Sequence, residues 1–358
     1  MNYIKIIVNI LLGLFLGLGL SPIAIFLAKK LKLIDDPKSS PRKIHRKPTP
    51  RAGGIVIFIG LVLGTLFNIS NVDDKIIKIV IAGAIIFLTG LVDDHKSITV
   101  FQKFSGQFLA TTALIILGVR VQMFEGMVLS IPMSENAALV LDLIVTYLWV
   151  IGLSNAFNFI DSMDGLLTQL SQIAIFFLTV SALLFGQYEI AIFMVLLVGL
   201  LTSISVFNSH PAIYFLGDSG ALFLGFILAA ISILLEPIDL PQPSSWFLPI
   251  TLFTLPLFDM FLVITSRTRH KVKFYKASTD HTYHRLCRFG FSNNRAIEIM
   301  KLESFIWGFV GIFAIYQTPL FANLLFGLFL VNFVVSYIFL DSKKIDQSSE
   351  DKSIYYEP

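Results

Sequence analysis

Charge is scarce in this chain of 358 residues: only 14% of it is Asp, Glu, Lys or Arg, against about 25% in soluble domains. With 55% hydrophobic residues and a mean hydropathy of +0.79, that deficit excludes a water-soluble globular fold, because apolar surface on this scale must face lipid. There is one cysteine, Cys287, so no intramolecular disulfide framework exists; it stands in a basic polar stretch and reads as an incidental thiol. Zinc-type Cys/His spacing, GxGxxG and a P-loop are all missing, which removes the nucleotide folds read from those motifs. No repeat or low-complexity run is evident. The net charge of +3 is small, and its distribution matters more than its sum.

Long apolar runs are what the sequence has in plenty. Runs able to cross about 30 Å at 1.5 Å per residue fall at 4–28, 53–69, 75–92, 104–119, 137–154, 165–186, 188–207, 219–235, 246–266, 303–317 and 319–340. They predict an all-α, polytopic transmembrane bundle of about ten or eleven helices. It forms one domain over 1–341, followed by a flexible tail, 342–358. The segment 121–136 carries no functional signal. The first run is too long for a signal-peptide core, and its positive charges, Lys29, Lys30 and Lys32, follow it rather than lead it. It reads as a retained helix with its N-terminus outside. The inner segments are then 29–52, 93–103, 155–164, 208–218, 267–302 and the tail, and they hold 23 of the 27 Lys and Arg. Such a bias marks the cytoplasmic face and puts the C-terminus inside.

The same inner segments gather acids, amides and histidines. Asp93 and Asp94 end the third span. Adjacent carboxylates are tolerated there if solvated, or if a cation lies between them; Mg²⁺ takes carboxylate oxygens together with waters and substrate phosphates. Asn155, Asn158, Asp161 and Asp164 recur every third residue, which aligns them on one helix face. A polar stripe at the bilayer edge faces a cavity or the bundle interior. An Asp-Gly turn capping the next span explains Asp164 but not the two asparagines. Asp218 lies between Gly217 and Gly220 just ahead of an apolar helix. Glycine lets a ligand approach the backbone and a helix N-terminus favours phosphate, though an N-cap role explains the same acid. His281 and His284, with Arg285 alongside, make a weak zinc pair and a better phosphate-binding group. Residues 42–55, with His45 and Arg51 before a Gly-Gly pair, read as a positive anchor or as a phosphate-facing loop.

Together and in order, the blocks R-K-x-H-x-x-P-x-P-x-x-G-G, L-x-D-D, N-x-x-N-x-x-D-x-x-D-G-L, G-D-S-G and a histidine block ending in H-R-L resemble the polyprenyl-phosphate N-acetylhexosamine-1-phosphate transferase family. The resemblance runs from about Arg42 to Leu286. It implies that Asp93 and Asp94 are paired active-site acids, and that Asn155, Asn158, Asp161 and Asp164 line the nucleotide and metal region, the two acids being catalytic. It further implies that Asp218 is the principal ligand of Mg²⁺, with Mn²⁺ able to substitute. By the same resemblance His281, His284 and Arg285 hold diphosphate or sugar, Lys103 contacts the nucleotide, and His45 and Arg51 bind substrate from the first loop. Two departures occur: Ser162 replaces a glycine of the family's D-G-x-D-G, and Tyr283 replaces the middle histidine of H-x-H-H-R-L. They leave the acids and outer histidines intact and bear on sugar specificity.

The implied reaction moves N-acetylhexosamine 1-phosphate, GlcNAc 1-phosphate foremost, from a UDP-sugar to undecaprenyl phosphate at the cytoplasmic face of a bacterial inner membrane, releasing UMP. The partners expected are those two substrates and membrane lipid, with a homodimer allowed and no nucleic acid. A phospho-MurNAc-pentapeptide translocase activity ranks second, because that branch resembles a triple-histidine block more closely. From another class, an ion-coupled transporter predicts charges near the midplane and paired halves. An intramembrane aspartyl protease leaves the basic histidine block unexplained.

Overall fold

A computed structural model describes residues 3–39, 47–68, 72–125, 134–237, 247–271 and 280–342. His45, residues 126–133 and the tail from 343 lie outside the described residues. The described chain forms thirteen α-helices: α1 (Tyr3–Lys30), α2 (Gly53–Phe67), α3 (Asp74–His95), α4 (Val100–Ile116), α5 (Glu135–Ile160), α6 (Leu166–Leu184), α7 (Tyr188–Asn208), α8 (Gly217–Ile233), α9 (Phe247–Leu252), α10 (Thr254–Arg269), α11 (Thr282–Arg288), α12 (Asn293–Ile315) and α13 (Pro319–Asp341). The strands β1 (Ile34–Asp35) and β2 (Thr49–Pro50) pair antiparallel.

Six of these helices, α1, α3, α5, α6, α7 and α13, are long and apolar enough to cross a membrane; α2 and α8 are shorter apolar helices. The bundle is a multi-pass membrane protein with its apolar side chains turned outward as well as inward. On α13, Leu320, Leu324, Leu328, Val331, Val335 and Ile338 are each more than half exposed, which in a soluble protein would be an aggregating stripe.

Helix α8 is the axis of the bundle. Every residue from Ser219 to Ser232 is buried, and α3, α5 and α2 pack around it. Phe223 of α8 meets Phe58 of α2 at 5.4 Å and Phe87 of α3 at 6.1 Å, and those two rings stack at 4.2 Å. Lipid tails are as apolar as these side chains, so close packing rather than escape from water holds such helices together. The α1–α7 contact shows the same logic. Gly13 and Gly17, one turn apart on α1, lie against Gly199 and Ser203 of α7. A Cβ on Gly13 would stand 2.9 Å from the backbone nitrogen of Leu200, and one on Gly199 2.8 Å from that of Leu14. Backbone cannot swing aside as a side chain can. Gly13→Leu is therefore expected to destabilise the bundle by at least about 1–3 kcal/mol, the cost of overpacking, read as a lower midpoint of thermal unfolding in detergent.

Three elements differ from the sequence expectation. The span 246–266 is two helices, α9 and α10, broken at Phe253. Pro256 lies in the first turn of α10, where its missing N–H costs nothing, whereas one continuous helix would need that N–H. Helix α12 starts at Asn293, well before 303, because Arg295, Glu298 and Lys301 lower hydropathy without interrupting a helix. The histidine block, placed within a basic loop, forms the short helix α11.

Candidate functional site

The ends of α3, α4, α5 and α8 converge at one end of the bundle, and the loop from β2 into α2 closes it. That loop is fixed by backbone bonds: Arg51 N donates to Leu33 O at 2.9 Å, Phe215 N to Pro50 O at 2.9 Å, and Gly53 N and Gly54 N to the carbonyls of Phe215 and Leu216 at 3.0 Å. The Gly-Gly pair permits this approach, since a Cβ on Gly54 would stand 2.5 Å from Gly220 N. Arg51 is thereby set between two acids, with Nη2 2.5 Å from Asp35 and Nη1 3.4 Å from Asp94.

Asp94 caps a helix to which it does not belong. Its Oδ1 accepts from Asp218 N at 2.9 Å, and its Oδ2 accepts from Ser219 N at 3.0 Å and Ser219 Oγ at 2.6 Å. These are free N–H groups of the first turn of α8, which need an acceptor and favour a negative one. Gly217 has φ +73, and a Cβ there would stand 2.6 Å and 2.8 Å from the two Asp94 oxygens. Asp218 is left free of the capping role expected for it and faces the other way.

Lys103, in the first turn of α4, ties the remaining groups together. Its Nζ lies 2.8 Å from Asp218 Oδ1, 3.0 Å from Asp93 Oδ2 and 3.2 Å from Asn158 Oδ1. Asn158 Nδ2 donates to the same Asp218 oxygen. A capping box of Thr99 and Gln102 starts α4, and Ile98 N donates to Asp93 Oδ1 at 3.0 Å, so Asp93 orders the turn that brings Lys103 inward. Asp161, the C-cap of α5, completes the group. Burial pushes its carboxyl up to about 8, helped by the charges of Asp218, Asp94 and Asp164 and opposed by Arg51.

This donor set suits a hard cation. Lys103 and Asn158 both engage Oδ1 of Asp218, which leaves Oδ2 for a ligand. Asp161 would shed its proton readily beside added positive charge. Among the described residues no three His, Cys, Asp or Glu side chains form a ready-made cage. Mg²⁺ is ordinarily held by one or two carboxylates, with waters and substrate phosphates as the other ligands.

The remaining sequence candidates fall elsewhere. Asn155 exchanges amide hydrogen bonds with Gln107 of α4 at 3.1 Å and 2.8 Å, one turn deeper than Asn158, and so clamps α4 to α5. Asp164 accepts from Ala212 N at 3.3 Å and pairs with His210 at 3.0 Å; it does not cap α6, whose N-cap is Gly165 in the left-handed conformation. His281 Nδ1 is 2.8 Å from Asp259 of α10. Arg285 is buried, bonded to the Asp280 carbonyl at 2.8 Å and to Asp341 at the end of α13 at 2.8 Å, where it tethers α11 to α13. The ring of His281 meets Phe159 of α5 edge-on, centroids 6.3 Å apart, and the Arg267 guanidinium lies 6.0 Å from the Phe159 ring centroid. This second cluster therefore borders the first through Phe159, the residue after Asn158.

His284, buried in α11, is pushed down to about 3, first by burial and then by the charge of His281. A histidine depressed on folding contributes stability that is complete above its unfolded value, about 6.5, and is lost as the pH falls below that value toward 3. Thermal unfolding between pH 8 and pH 5 is expected to show it as a drop approaching about 1.4 kcal/mol per pH unit on the acid side. His284→Gln, which cannot protonate, is expected to flatten that slope relative to wild type.

Residues 76–236 match the model of glycosyl transferase family 4. A probable undecaprenyl-phosphate N-acetylglucosaminyl 1-phosphate transferase of Bacillus subtilis is 31% identical over 309 residues, 85% of this chain and 83% of that protein. A decaprenyl-phosphate N-acetylglucosaminephosphotransferase of Mycobacterium tuberculosis is 30% identical over 82% of this chain and 78% of its own length. A phospho-N-acetylmuramoyl-pentapeptide-transferase of Bacillus mycoides is 30% identical over 83% of this chain and 94% of its own.

Proposed function

Because this chain belongs to glycosyl transferase family 4, a family of membrane phosphotransferases, we propose that it moves N-acetylglucosamine 1-phosphate from its UDP-sugar to undecaprenyl phosphate, releasing UMP. The carrying observation is Asp218 at the buried mouth of α8, held by Lys103 and Asn158 with Asp94 behind it. Both reactants are anions, so neutralising charge is the main chemical problem. A phosphate oxygen of the lipid attacks the sugar-bearing phosphorus, and UMP leaves. Lys103 and Arg51 supply positive charge that is already oriented and needs no reorganisation. Asp94 holds the first turn of α8 rigid, so that Asp218 keeps its place. Mg²⁺, held by Asp218 with Asp161 beside it, would clamp the diphosphate and neutralise charge on the departing UMP. Asp161, pushed up to about 8, is a group in the cluster able to hold or yield a proton near neutrality.

We place the site on the cytoplasmic face of a bacterial inner membrane, where the bias of Lys and Arg toward its loops supports it and where the nucleotide sugar is made. The lipid acceptor reaches the same depth sideways from the bilayer. The acids gathered around Asp218 lie at the ends of spans, and the two inside spans, Asp142 and Asp259, are engaged by backbone N–H groups and His281, which argues against an ion-coupled carrier. The pentapeptide reading keeps one support, the 94% coverage of the muramoyl-pentapeptide relative.

One experiment separates these readings: UMP release by purified protein with undecaprenyl phosphate and Mg²⁺ across UDP-GlcNAc, other UDP-N-acetylhexosamines and UDP-MurNAc-pentapeptide. UDP-GlcNAc is expected to be the productive donor. Release with the pentapeptide donor alone replaces the pathway. No release with any donor, from folded protein, ends the transferase reading.

A further inference from the structure

Asp259 lies in the apolar run TLPLFDMFLVIT of α10 and is fully buried. An ionisable group so placed has a partner or a task. Both of its oxygens are used: Oδ1 accepts from Thr282 N at 2.6 Å, and Oδ2 lies 2.8 Å from His281 Nδ1. The first bond satisfies an opening N–H of α11, whose own N-cap residue, His281, makes no side-chain cap bond. The second fixes an imidazole. A carboxylate buried between two partners serves as acceptor only, so Nδ1 of His281 carries the hydrogen and Nε2 is left for a ligand.

The ring so fixed stands against Phe159, whose chain neighbours are Asn158 of the Asp218 cluster and, two residues on, Asp161. An Nε2 that carries no hydrogen is an acceptor and suits a hydroxyl or amide N–H of a ligand.

We propose that Asp259 is a positioning residue: it holds His281 with Nδ1 protonated, so that Nε2 accepts from a hydroxyl or amide N–H of the nucleotide sugar beside the Asp218 cluster. This rests on the transferase reading for the ligand, and on the observed pair for the histidine.

Asp259→Asn separates positioning from mere capping. The amide oxygen can still accept from Thr282 N, while the amide NH₂ faces Nδ1 as a donor and drives the ring hydrogen to Nε2. Nitrogen-15 spectra of histidine-labelled full-length protein, with the His281 signal identified by its loss in His281→Gln, read this directly. Wild type is expected to show Nδ1 protonated, and Asp259→Asn the opposite tautomer. In UMP-release assays Asp259→Asn is expected to raise KM for UDP-GlcNAc by about 10–100-fold, the range seen when an outer partner of a site histidine is lost. His281→Ala should match it, and the double variant should be little worse than either. Wild type with Nδ1 unprotonated, or an Asp259→Asn variant with wild-type KM, overturns the proposal. Wild type that shows the expected tautomer yet releases no UMP from any donor overturns the transferase reading instead, and with it the ligand named here.

Discussion

Asp218→Asn is expected to lower kcat/KM for UMP release by about 10³-fold, the upper range for removing one preorganised electrostatic group from a site, with little change in thermal stability. The substitution keeps the volume, and its amide oxygen can still accept from Lys103. What disappears is the negative charge that Lys103 Nζ meets at 2.8 Å and that a divalent cation needs. Packing supplies the reason for unchanged stability. The first turn of α8 is capped by Asp94, so Asp218 is not needed to end the helix. Asp94→Asn is the informative contrast, since it disturbs both the cap and the site, and activity and melting temperature should fall together. Steady-state UMP release paired with thermal unfolding of each variant decides the matter. An Asp218→Asn enzyme that retained more than a tenth of wild-type activity would remove Asp218 from the centre of the mechanism.

The second large effect is expected at Gly217. Valine there meets two obstacles. The backbone is left-handed, φ +73, which for a β-branched residue costs about 1–3 kcal/mol. Its Cβ also comes within 2.6 Å of an Asp94 oxygen, and that carboxylate cannot retreat without releasing Ser219 and Asp218. Gly217→Val is therefore expected to lose about 10²-fold in kcat/KM, as follows when a reacting group is displaced by an ångström, and to melt at lower temperature. Gly327 is the control: a Cβ there meets nothing within 4 Å, and Gly327→Ala should behave as wild type in both assays.

The fold was legible wherever apolar length speaks. The runs at 4–28, 75–92, 137–154, 165–186, 188–207 and 319–340 all became helices able to cross a membrane. Helix ends were less legible. Nothing in hydropathy separates a span from the same helix continuing into water, which is why α12 begins at Asn293. The break at Phe253 did have a signal, the two prolines Pro249 and Pro256.

In the candidate site, the acid pair, Lys103, Asn158 and Asp218 were visible as polar residues at span ends. The i, i+3 series was only half right as geometry. Asn155 and Asn158 share α5, but the helix stops at Ile160, so Asp161 and Asp164 leave its periodicity. Reading only the ends of spans misses two acids inside them. Asp142 of α5 accepts from the backbone N–H groups of Met123, Phe124 and Glu125 at 2.9, 3.0 and 3.0 Å, and Asp259 holds His281. Each is a charged residue in an apolar run, and that was signal enough to ask what it binds. Asp35 had no such signal, since its pairing with Arg51 depends on the β1–β2 contact.

The cap that Asp94 provides also has a consequence for biogenesis. During synthesis the chain emerges N-terminus first. The carboxylate of Asp94 is made before the amides of Asp218 and Ser219 that it will accept from, and α1 through α7 come out ahead of α8. Until α8 enters, the faces of α2, α3 and α5 that will surround it have no protein to cover them, and Lys103 and Asn158 lack Asp218, the acid that unites them. A chain stalled before Gly217 thus leaves Lys103 and Asn158 without the carboxylate they share. The helix at the axis of the bundle is also the piece that brings the candidate site together.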